Sequence, residues 1–325
     1  MNNELVSILI PTYNREELIG ATIQSALLQT YSHIEVVVVD NASTDGTWAV
    51  IKAFASKDQR IKAFRNETNI GPVRNWLRCV REANGVFGKI LWSDDLLHPD
   101  FLSQAIRAMG LPGVGFVYSP AMFFDGVDPL LGKRRYDTTP SGLRHSSEFI
   151  AGSLLARDYP LSPGCAMFRL ADMRDCLIEC VPNRVGSDFS MHAIGNDLLL
   201  FLLIAVRYPY FVKLKEPLSY FRAHAGSISE ASEPGKLVLH YDIAKAWFVA
   251  TNSLPARLVA RFNGFLATHL LLYRNNKFGL RHMDDFYPEI DTHSIAWGWL
   301  PLDLLRFFTK KIHRYLVRAE NSAAP

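Results

Sequence analysis

Cysteine and long apolar runs are two features that this 325-residue chain has little of. Its four cysteines, Cys79, Cys165, Cys176 and Cys180, are unevenly spaced and form no Cys-x-x-Cys pair, which argues against a disulfide framework and a zinc site. The N-terminal apolar run is short and follows no basic segment, and the longest later run, residues 198–206, is also well below the length of a membrane span. We therefore expect no signal peptide, no transmembrane helix and a reduced, cytoplasmic location.

An excess of charge of one sign is also lacking. The 35 Lys and Arg residues nearly balance the 32 Asp and Glu residues, so the formal net charge is only +3. No RNA-binding signature, zinc-finger spacing or long basic run accompanies this small excess, so nucleic acid is not an expected partner. With 49% hydrophobic and 21% charged residues, the composition is that of a globular protein with one large core or two modest ones.

Two adjacent carboxylates follow a short apolar run in the stretch KILWSDDLLHPDF, residues 89–101. Residues 90–92 predict a strand that stops at Asp94 and Asp95, with Pro99 just beyond. In open α/β sheets ligands bind outside the carboxyl ends of the strands, so a carboxylate pair there is well placed to hold a hard cation bound to phosphate. The alternative is a solvated turn, because Asp is favoured in turns and at helix N-caps.

Strands and helices alternate regularly through the first hundred residues. Apolar or β-branched runs predict the strands, and each is followed by turn-forming residues and a segment with helical periodicity. The predicted strands are residues 5–10, 34–39, 61–64 and 90–92, and the predicted helices between them are residues 16–28, 47–55 and 73–83. This alternation predicts a doubly wound α/β domain with a mainly parallel sheet and right-handed crossovers.

The regular alternation ends near residue 110. A long loop is expected at residues 125–146, which are rich in Gly, Pro and basic residues, and a tight Ser-Pro-Gly turn precedes a strand within residues 160–168. The remaining predicted strands are residues 115–119, 211–214 and 218–221, and the remaining predicted helices are residues 145–155, 196–205, 236–251, 255–273 and 300–318. A boundary in the Ser- and Glu-rich stretch near residue 230 divides the chain into a domain at residues 1–230 and a helical region at residues 231–325.

The last predicted helix has an apolar face and a basic face. The apolar face consists of Leu305, Phe308, Ile312, Tyr315 and Leu316, and the basic face of Arg306, Lys310, Arg314 and Arg318. A basic amphipathic helix of this kind can lie on an anionic bilayer, which would make the protein a peripheral membrane protein. It can equally pack on the protein itself or contact a partner, and the sequence does not choose between these interpretations.

Further candidate ligand-binding residues lie near the predicted strand ends. Asp40 follows the second strand, so in a parallel sheet it shares one edge with Asp94 and Asp95. The PTYN turn after the first strand offers the ring of Tyr13 for stacking on a base, and Arg74 at the start of the third helix can reach a phosphate. Together these suit a nucleoside diphosphate. Singly, Tyr13 can be core packing, Asp40 a helix cap and Arg74 a solvated helix start.

The sequence resembles the family 2 glycosyltransferases with the GT-A fold in four successive motifs, which are SILIPTYNREELIGATIQSALLQTY, EVVVVDNASTDGT, NETNIGPVRNW and SDDLLHP. The resemblance is close over residues 1–105, weakens in the middle, and returns at residues 195–197 and at EPLSYFRAHAGSIS. It implies a Rossmann-like, doubly wound, mainly parallel sheet with a helical C-terminal extension. It also implies an inverting glycosyltransferase that uses Mg²⁺ or Mn²⁺.

The resemblance implies a nucleotide pocket at the ends of the first strands. Pro11, Tyr13 and Arg15 match positions that line this pocket in the family. Asp40 matches the residue that contacts the base, and Arg74 is expected near the pocket.

The resemblance also implies roles for the residues around the sugar and the diphosphate. Asp94 is expected beside the ribose and diphosphate, and Asp95 is expected to hold the divalent metal. Asp197 matches the acidic position that acts as catalytic base in this family. Arg222 and His224 match a basic pair near the end of the domain that helps hold the diphosphate.

Two positions depart from the family pattern. Many members have a third acid two positions before Asp94, where this chain has Trp92, so one metal-side contact is lost or replaced by water. The base often follows a Glu, whereas Asp197 follows Asn196. This second departure leaves Asp188, in the sequence GSDFS, as a rival candidate for the base.

The resemblance therefore implies transfer of a sugar from a UDP or dTDP sugar to a hydroxyl group. By analogy, the expected acceptor is lipid-linked or a growing surface polysaccharide, which would place the enzyme at the inner face of the membrane in polysaccharide biosynthesis. A non-catalytic nucleotide-sugar-binding module is the main alternative, and the missing third acid favours it. A nucleotidyltransferase is less expected because PTYNR has neither repeated Gly nor Lys. A scaffold role would predict no metal-dependent nucleotide binding.

Overall fold

The chain divides into two compact units. Unit 1 comprises Met1–Val181 and Asp188–Glu233, and unit 2 comprises Pro182–Ser187 and Pro234–Pro325. The structure, a computed structural model, describes residues 4–126, 128–224, 233, 235–288, 295–296 and 298. The helix predicted at residues 300–318 lies outside the described residues.

Unit 1 begins with the predicted alternation of strands and helices. The first four strands are β1 (Val6–Thr12), β2 (Ile34–Asp40), β3 (Ile61–Arg65) and β4 (Phe87–Ile90), and the helices between them are α1 (Ile19–Leu27), α2 (Thr47–Ala55) and α3 (Pro72–Glu82). Every residue of β1 and β2 is buried, which explains why their sequences lack polar alternation. The fourth strand ends earlier than predicted, because Trp92 already belongs to a turn closed by the hydrogen bond from Asp95 N to Trp92 O (3.0 Å).

The later strands of unit 1 complete a large sheet and a small one. They are β5 (Leu96–Leu97), β6 (Val114–Tyr118), β7 (Ala121–Phe124), β8 (Lys133–Arg135), β9 (Gly142–His145), β10 (Ala166–Arg169), β11 (Tyr210–Lys213) and β12 (Ser219–Arg222). The large sheet has the order β3-β2-β1-β4-β10-β6-β11-β9, in which β10 and β9 run against the other six strands. The small sheet has the order β5-β12-β7-β8. The predicted mainly parallel α/β sheet is therefore confirmed.

The strand order changes direction between β1 and β4. The chain runs from β1 outward to β2 and β3 on one side, and then crosses back so that β4 pairs with the other side of β1. Connections leave the carboxyl ends of β1 and β4 in opposite directions, and a crevice opens between them. This is the edge at which the sequence places its carboxylates and the PTYNR turn.

The loop predicted at residues 125–146 is wrong in part, because it contains β8 and β9. All three residues of β8 are exposed, and this strand pairs antiparallel with β7 at the edge of the small sheet. Strand β9 is mostly exposed and pairs with β11 at the edge of the large sheet. Because neither strand buries a face, the apolar–polar alternation that predicts a strand is missing from both.

Helix α8 (Asn196–Ala205) is buried almost all round, as its apolar sequence predicts. Its Phe201 ring packs 5.2 Å from Phe116, 5.2 Å from Phe149 and 5.1 Å from Phe168, centroid to centroid. The other helices that follow β4 in unit 1 are α4 (Phe101–Met109), α5 (Ser146–Leu154), α6 (Leu170–Cys176) and α7 (Phe189–His192). The aromatic packing fixes the first turn of α8, where Asp197 lies.

The described part of unit 2 is mainly helical. Its main elements are α9 (Lys236–Thr251) and α10 (Ala256–Leu272). His269 Nδ1 lies 2.5 Å from Asp242 Oδ2, so a buried polar contact joins the two helices. Among the helices described, none combines the length and the apolar character that a bilayer crossing requires.

Candidate active site

The turn after β1 is fastened to the turn after β2. Asn14 N donates to Ser43 Oγ (2.9 Å), Asn14 Oδ1 accepts from Thr44 N (2.9 Å), and Arg15 N donates to Thr47 Oγ1 (2.7 Å). Asn14 has a φ of 48°, a left-handed conformation that asparagine tolerates better than most residues. These contacts fix the PTYNR backbone at the edge of the crevice.

The predicted base-binding residues differ in exposure. Pro11 is buried in β1, whereas the Tyr13 side chain is 41% exposed and presents its ring outward. Asp40 is fully buried: its Oδ1 accepts from Ser43 Oγ and from Ser43 N (3.2 Å), and its Oδ2 lies 3.1 Å from Arg65 Nε. Asp40 thus also closes the turn after β2, which is the helix-cap type of role considered for it in the sequence.

A cluster of asparagines that the sequence did not single out supports this edge. Asn41 Oδ1 accepts from Asn66 Nδ2 (2.7 Å) and from Ile70 N (3.0 Å). Asn41 Nδ2 donates to Asn69 Oδ1 (2.8 Å), and Asn66 Nδ2 donates to Asn75 Oδ1 (2.9 Å). The side-chain amides tie the loop after β3 to the loop after β2. In the sequence they are indistinguishable from ordinary turn-forming residues.

Asp94 is the centre of a charged cluster. Its Oδ2 lies 2.8 Å from His224 Nε2 and 3.4 Å from Arg15 Nε. The three side chains are partly exposed, at 16% for Asp94, 24% for His224 and 25% for Arg15. The crevice therefore offers one carboxylate, one imidazole and one guanidinium from three distant parts of the chain.

Asp95 is buried beneath this cluster, with only 5% exposed. Its Oδ1 accepts from Arg222 N (2.9 Å), and its carbonyl oxygen accepts from Thr22 Oγ1 (2.9 Å). Burial and the neighbouring charge of Asp94 raise the pKa of Asp95 well above its ordinary value. Arg222 donates from Nε to Asp94 O (3.2 Å), and its guanidinium stacks 4.6 Å from the centre of the Phe124 ring. Asp95 therefore joins β12 to the end of β4.

Arg74 is engaged in a surface ion pair. Its Nε lies 2.7 Å from Glu179 Oε1, and both side chains are about two-fifths exposed, at 42% and 40%. Such exposed pairs contribute little to stability and exchange readily with solvent. Arg74 is held by this pair at the start of α3, and its contact with a nucleotide stays a prediction.

The two candidate bases occupy helix starts. Asp197 lies in the first turn of α8, where its Oδ1 accepts from Gly195 N (3.1 Å) and Leu198 N (2.8 Å). Asp188 caps α7, with its Oδ1 accepting from Ser190 N (3.0 Å) and Ser190 Oγ (2.6 Å). The Ser190 hydroxyl and backbone bonds lower the pKa of Asp188. Both carboxylates accept two hydrogen bonds at a helix start, so the assignment of Asp197 as the base stays a prediction.

Lys89 is a second feature that the sequence did not reveal. Its side chain is fully buried at the end of β4, where its Nζ donates to Ile90 O (2.8 Å) and Gly164 O and lies 4.8 Å from the centre of the Phe101 ring. Burial lowers the pKa of Lys89 to about 7, although the nearby Cys165 and Asp95 oppose this shift. A lysine within an apolar run is easily taken for a solvent-facing strand residue.

We expect the Lys89→Met variant to remove a pH dependence of stability. The unfolded chain holds the lysine proton up to pH 10.5, whereas the folded chain releases it near pH 7, so the free energy of unfolding rises with pH between these values. From pH 6.5 to 9, denaturant unfolding of the wild type should gain about 2 to 3 kcal/mol relative to Lys89→Met. Titrating groups that do not interact with Lys89 cancel in this difference. If the free energy of unfolding of the two proteins changed with pH in parallel, burial would not disfavour the charged form of Lys89.

The structure brings five of the predicted site residues into one cluster, which are Arg15, Asp94, Asp95, Arg222 and His224. Tyr13 and Asp40 lie on the adjoining turns, and Asp197 and Arg74 belong to other elements. Within the described ranges, no three His, Cys, Asp or Glu side chains converge as a preformed metal site.

Known proteins resemble the chain in both sequence and fold. The model of the family "Glycosyl transferase family 2" matches residues 7–176. The UDP-Glc:alpha-D-GlcNAc-diphosphoundecaprenol beta-1,3-glucosyltransferase WfaP of Escherichia coli is 39% identical over 116 residues, which are 36% of this chain and 45% of that protein. The chain thus spans less than half the length of this curated relative.

Two solved structures share the fold. The TarS 1-349 structure from S. aureus in complex with UDP-GlcNAc superposes with a TM-score of 0.62 at 20% identity, covering 85% of this chain and 75% of that one. Glucosyl-3-phosphoglycerate synthase from Mycobacterium tuberculosis, in complex with Mn²⁺, uridine-diphosphate and phosphoglyceric acid, superposes with a TM-score of 0.50 at 17% identity, covering 77% and 80%. The predicted GT-A fold is confirmed. Since the family match covers more than half of the chain, the protein belongs to glycosyl transferase family 2.

Proposed function

We propose that the protein transfers a sugar from a nucleoside diphosphate sugar, of the UDP or dTDP type, to a hydroxyl group of a glycan or lipid-linked acceptor. The observation on which this rests is the cluster of Asp94, His224 and Arg15 at the switch point of the sheet. Clefts at this position bind nucleotides in α/β proteins. The exposed ring of Tyr13 supplies a stacking surface for the base.

Asp94 and His224 are the proposed ligands of Mg²⁺ or Mn²⁺. Their oxygen and nitrogen atoms lie 2.8 Å apart and are partly exposed, so both can turn toward an ion that a diphosphate also coordinates. The family resemblance implies that Asp95 is the metal ligand. In the structure Asp95 is buried and one of its carboxylate oxygens accepts from Arg222 N, so we assign it a supporting role. When bound, the ion neutralises charge that develops on the departing diphosphate.

The chain's own residues complete the reaction. Arg15 and Arg222 place two guanidinium groups beside Asp94, where they stabilise a diphosphate by charge-assisted hydrogen bonds. Asp197 takes the proton from the acceptor hydroxyl as that oxygen attacks the anomeric carbon opposite the leaving group. The bond to the diphosphate breaks as the new glycosidic bond forms, so the configuration inverts without a covalent intermediate.

A screen of nucleotide sugars tests this proposal. The purified chain is incubated with UDP, dTDP and GDP sugars, with and without Mn²⁺ or Mg²⁺, and free nucleotide is measured. We expect metal-dependent release from one donor class, most strongly from a UDP or dTDP sugar. Tight nucleotide binding without any release would favour the non-catalytic binding module, for which Trp92 at the position of an expected acid is the supporting observation.

Membrane contact is a further proposal and rests on the sequence pattern of residues 300–318 alone. We expect deletion of residues 300–325 to reduce co-sedimentation with anionic phosphatidylglycerol vesicles about tenfold or more, because each basic residue near such a surface contributes about 1 kcal/mol. A full-length variant with Arg306, Lys310, Arg314 and Arg318 changed to Gln separates charge from chain length. Unchanged co-sedimentation of both variants would refute the contact.

A further inference from the structure

Trp92 lies between the end of β4 and Asp94 and is held from several sides. Its Nε1–H donates to Ser162 Oγ (2.7 Å), and its ring lies 4.8 Å from that of Trp76, centroid to centroid. A methyl group on Gly164 would come within 2.7 Å of Nε1, so only glycine lets the backbone approach the indole this closely. The side chain is nevertheless partly exposed. A fixed, partly exposed indole is a preformed apolar surface.

The turn that holds Trp92 is itself fixed from behind. Ser162 Oγ accepts from Gly164 N (3.3 Å), and the buried Lys89 Nζ donates to Gly164 O. This turn, the 3₁₀ segment Pro163–Cys165 with the residues before it, packs against both β4 and α8. It therefore lies between the strand that leads to Asp94 and the helix that begins with Asp197.

Tyr136 is held in an unusual conformation on the other side of this turn. Its φ is +59°, which costs energy for a residue with a bulky side chain. Asp158 enforces it: Oδ1 accepts from Tyr136 N (3.0 Å), and Oδ2 accepts from Asp137 N (3.0 Å) and Thr138 N (3.1 Å). The buried Lys213 secures the same segment through Asp137 Oδ1 (2.7 Å). Strain held in this way is typical of binding sites.

An aromatic chain joins Tyr136 to the turn that holds Trp92. The ring of Tyr136 lies 5.9 Å from that of Phe123, and the ring of Phe123 lies 5.1 Å from that of Phe221, centroid to centroid. Phe221 in turn borders Gly164, because a methyl group on Gly164 would come within 3.1 Å of its ring. Trp92 therefore contacts this turn directly, and Tyr136 reaches it through Phe123 and Phe221.

We propose that Trp92 and Tyr136 form the acceptor subsite and hold a pyranose ring of the acceptor. This inference rests on the proposed function. The single N–H of Trp92 is used by Ser162, so its exposed face offers no hydrogen bond to a diphosphate, but it can pack on the C–H face of a sugar. Tyr136 lies on the other side of this turn. The turn packs against the helix that begins with Asp197, and the attacking hydroxyl must lie near that carboxylate.

The test compares Trp92→Ala and Trp92→Phe with Trp247→Ala, a partly exposed tryptophan of α9 in unit 2. The probes are octyl β-D-glucopyranoside and octyl N-acetyl-β-D-glucosaminide, and their Kd is measured by calorimetry in the presence of UDP and Mn²⁺. Donor hydrolysis without acceptor is measured in parallel. We expect Trp92→Ala to raise the Kd of at least one glycoside about 10- to 100-fold, and Trp92→Phe to raise it less. Trp247→Ala should leave both the Kd and donor hydrolysis unchanged, and each Trp92 variant should lose more glycoside affinity than donor hydrolysis.

Gly164→Ala is a second variant that should weaken glycoside binding, and it does so without changing Trp92 itself. The added methyl group meets the indole and displaces Trp92, so glycoside affinity should fall while donor hydrolysis persists. The proposal is overturned if the wild type binds neither glycoside, if Trp92→Ala binds them normally, or if donor hydrolysis is lost together with glycoside affinity. A wild type that hydrolyses no donor but binds glycosides through Trp92 would refute the proposed function and leave the subsite standing.

Discussion

Asp197→Asn is expected to abolish sugar transfer while nucleotide binding persists. The substitution keeps the size of the side chain and one oxygen for the amides of Gly195 and Leu198, so the start of α8 is preserved. What is lost is the carboxylate that accepts the proton of the attacking hydroxyl, and general-base catalysis of this kind contributes about 100- to 10,000-fold. We expect kcat to fall by this factor, measured as glycoside formed per time, with the Kd of UDP unchanged.

Asp188→Asn is the matched control for this experiment. Asp188 is also an aspartate at a helix start, and asparagine can keep the cap of α7 by accepting from Ser190 N. Transfer by this variant should stay within a fewfold of the wild type. If Asp188→Asn loses transfer and Asp197→Asn retains it, the base is Asp188 and the assignment of Asp197 is wrong.

The first half of unit 1 could be predicted because its signals are local. Runs such as residues 36–39 are buried on both faces and are therefore uniformly apolar, and the end of such a run is marked by a switch to polar turn formers. Edge strands β8 and β9 have no buried face, so nothing in their composition distinguishes them from a loop. The alternation predicts the sheet, and the sheet predicts which edge holds the site.

The details of the site could not be predicted, because they depend on contacts between distant parts of the chain. Asp94 and Asp95 are adjacent and chemically alike, yet one faces the crevice and the other is buried. That difference arises from β12, which brings Arg222 N to Asp95 and His224 to Asp94. The burial of Lys89 could not be predicted either, because one of the two carbonyls that accept from its Nζ belongs to Gly164, which is distant in the sequence.

Asp94→Asn is expected to remove nearly all metal-dependent activity. The carboxylate is the proposed ligand and also the shared partner of Arg15 and His224, so its loss leaves two basic groups without their anion. We expect nucleotide release at saturating Mn²⁺ to fall about 100- to 1,000-fold, as when one preorganised electrostatic contact to a transition state is removed.

His224→Gln should instead shift the Mn²⁺ concentration for half-maximal activity upward about tenfold or more, because a ligand is weakened while Asp94 remains.

Asp95→Asn separates the two carboxylates in the same Mn²⁺ titration. Asparagine keeps the oxygen that accepts from Arg222 N and carries no charge, which suits a position that is only 5% exposed. If Asp95 supports the site without binding the ion, this variant should need no more Mn²⁺ than the wild type, whatever its maximal rate. If Asp95→Asn raised the Mn²⁺ concentration for half-maximal activity as much as His224→Gln does, Asp95 would be a metal ligand. A residue that only supports the site alters the maximal rate and leaves that Mn²⁺ concentration unchanged.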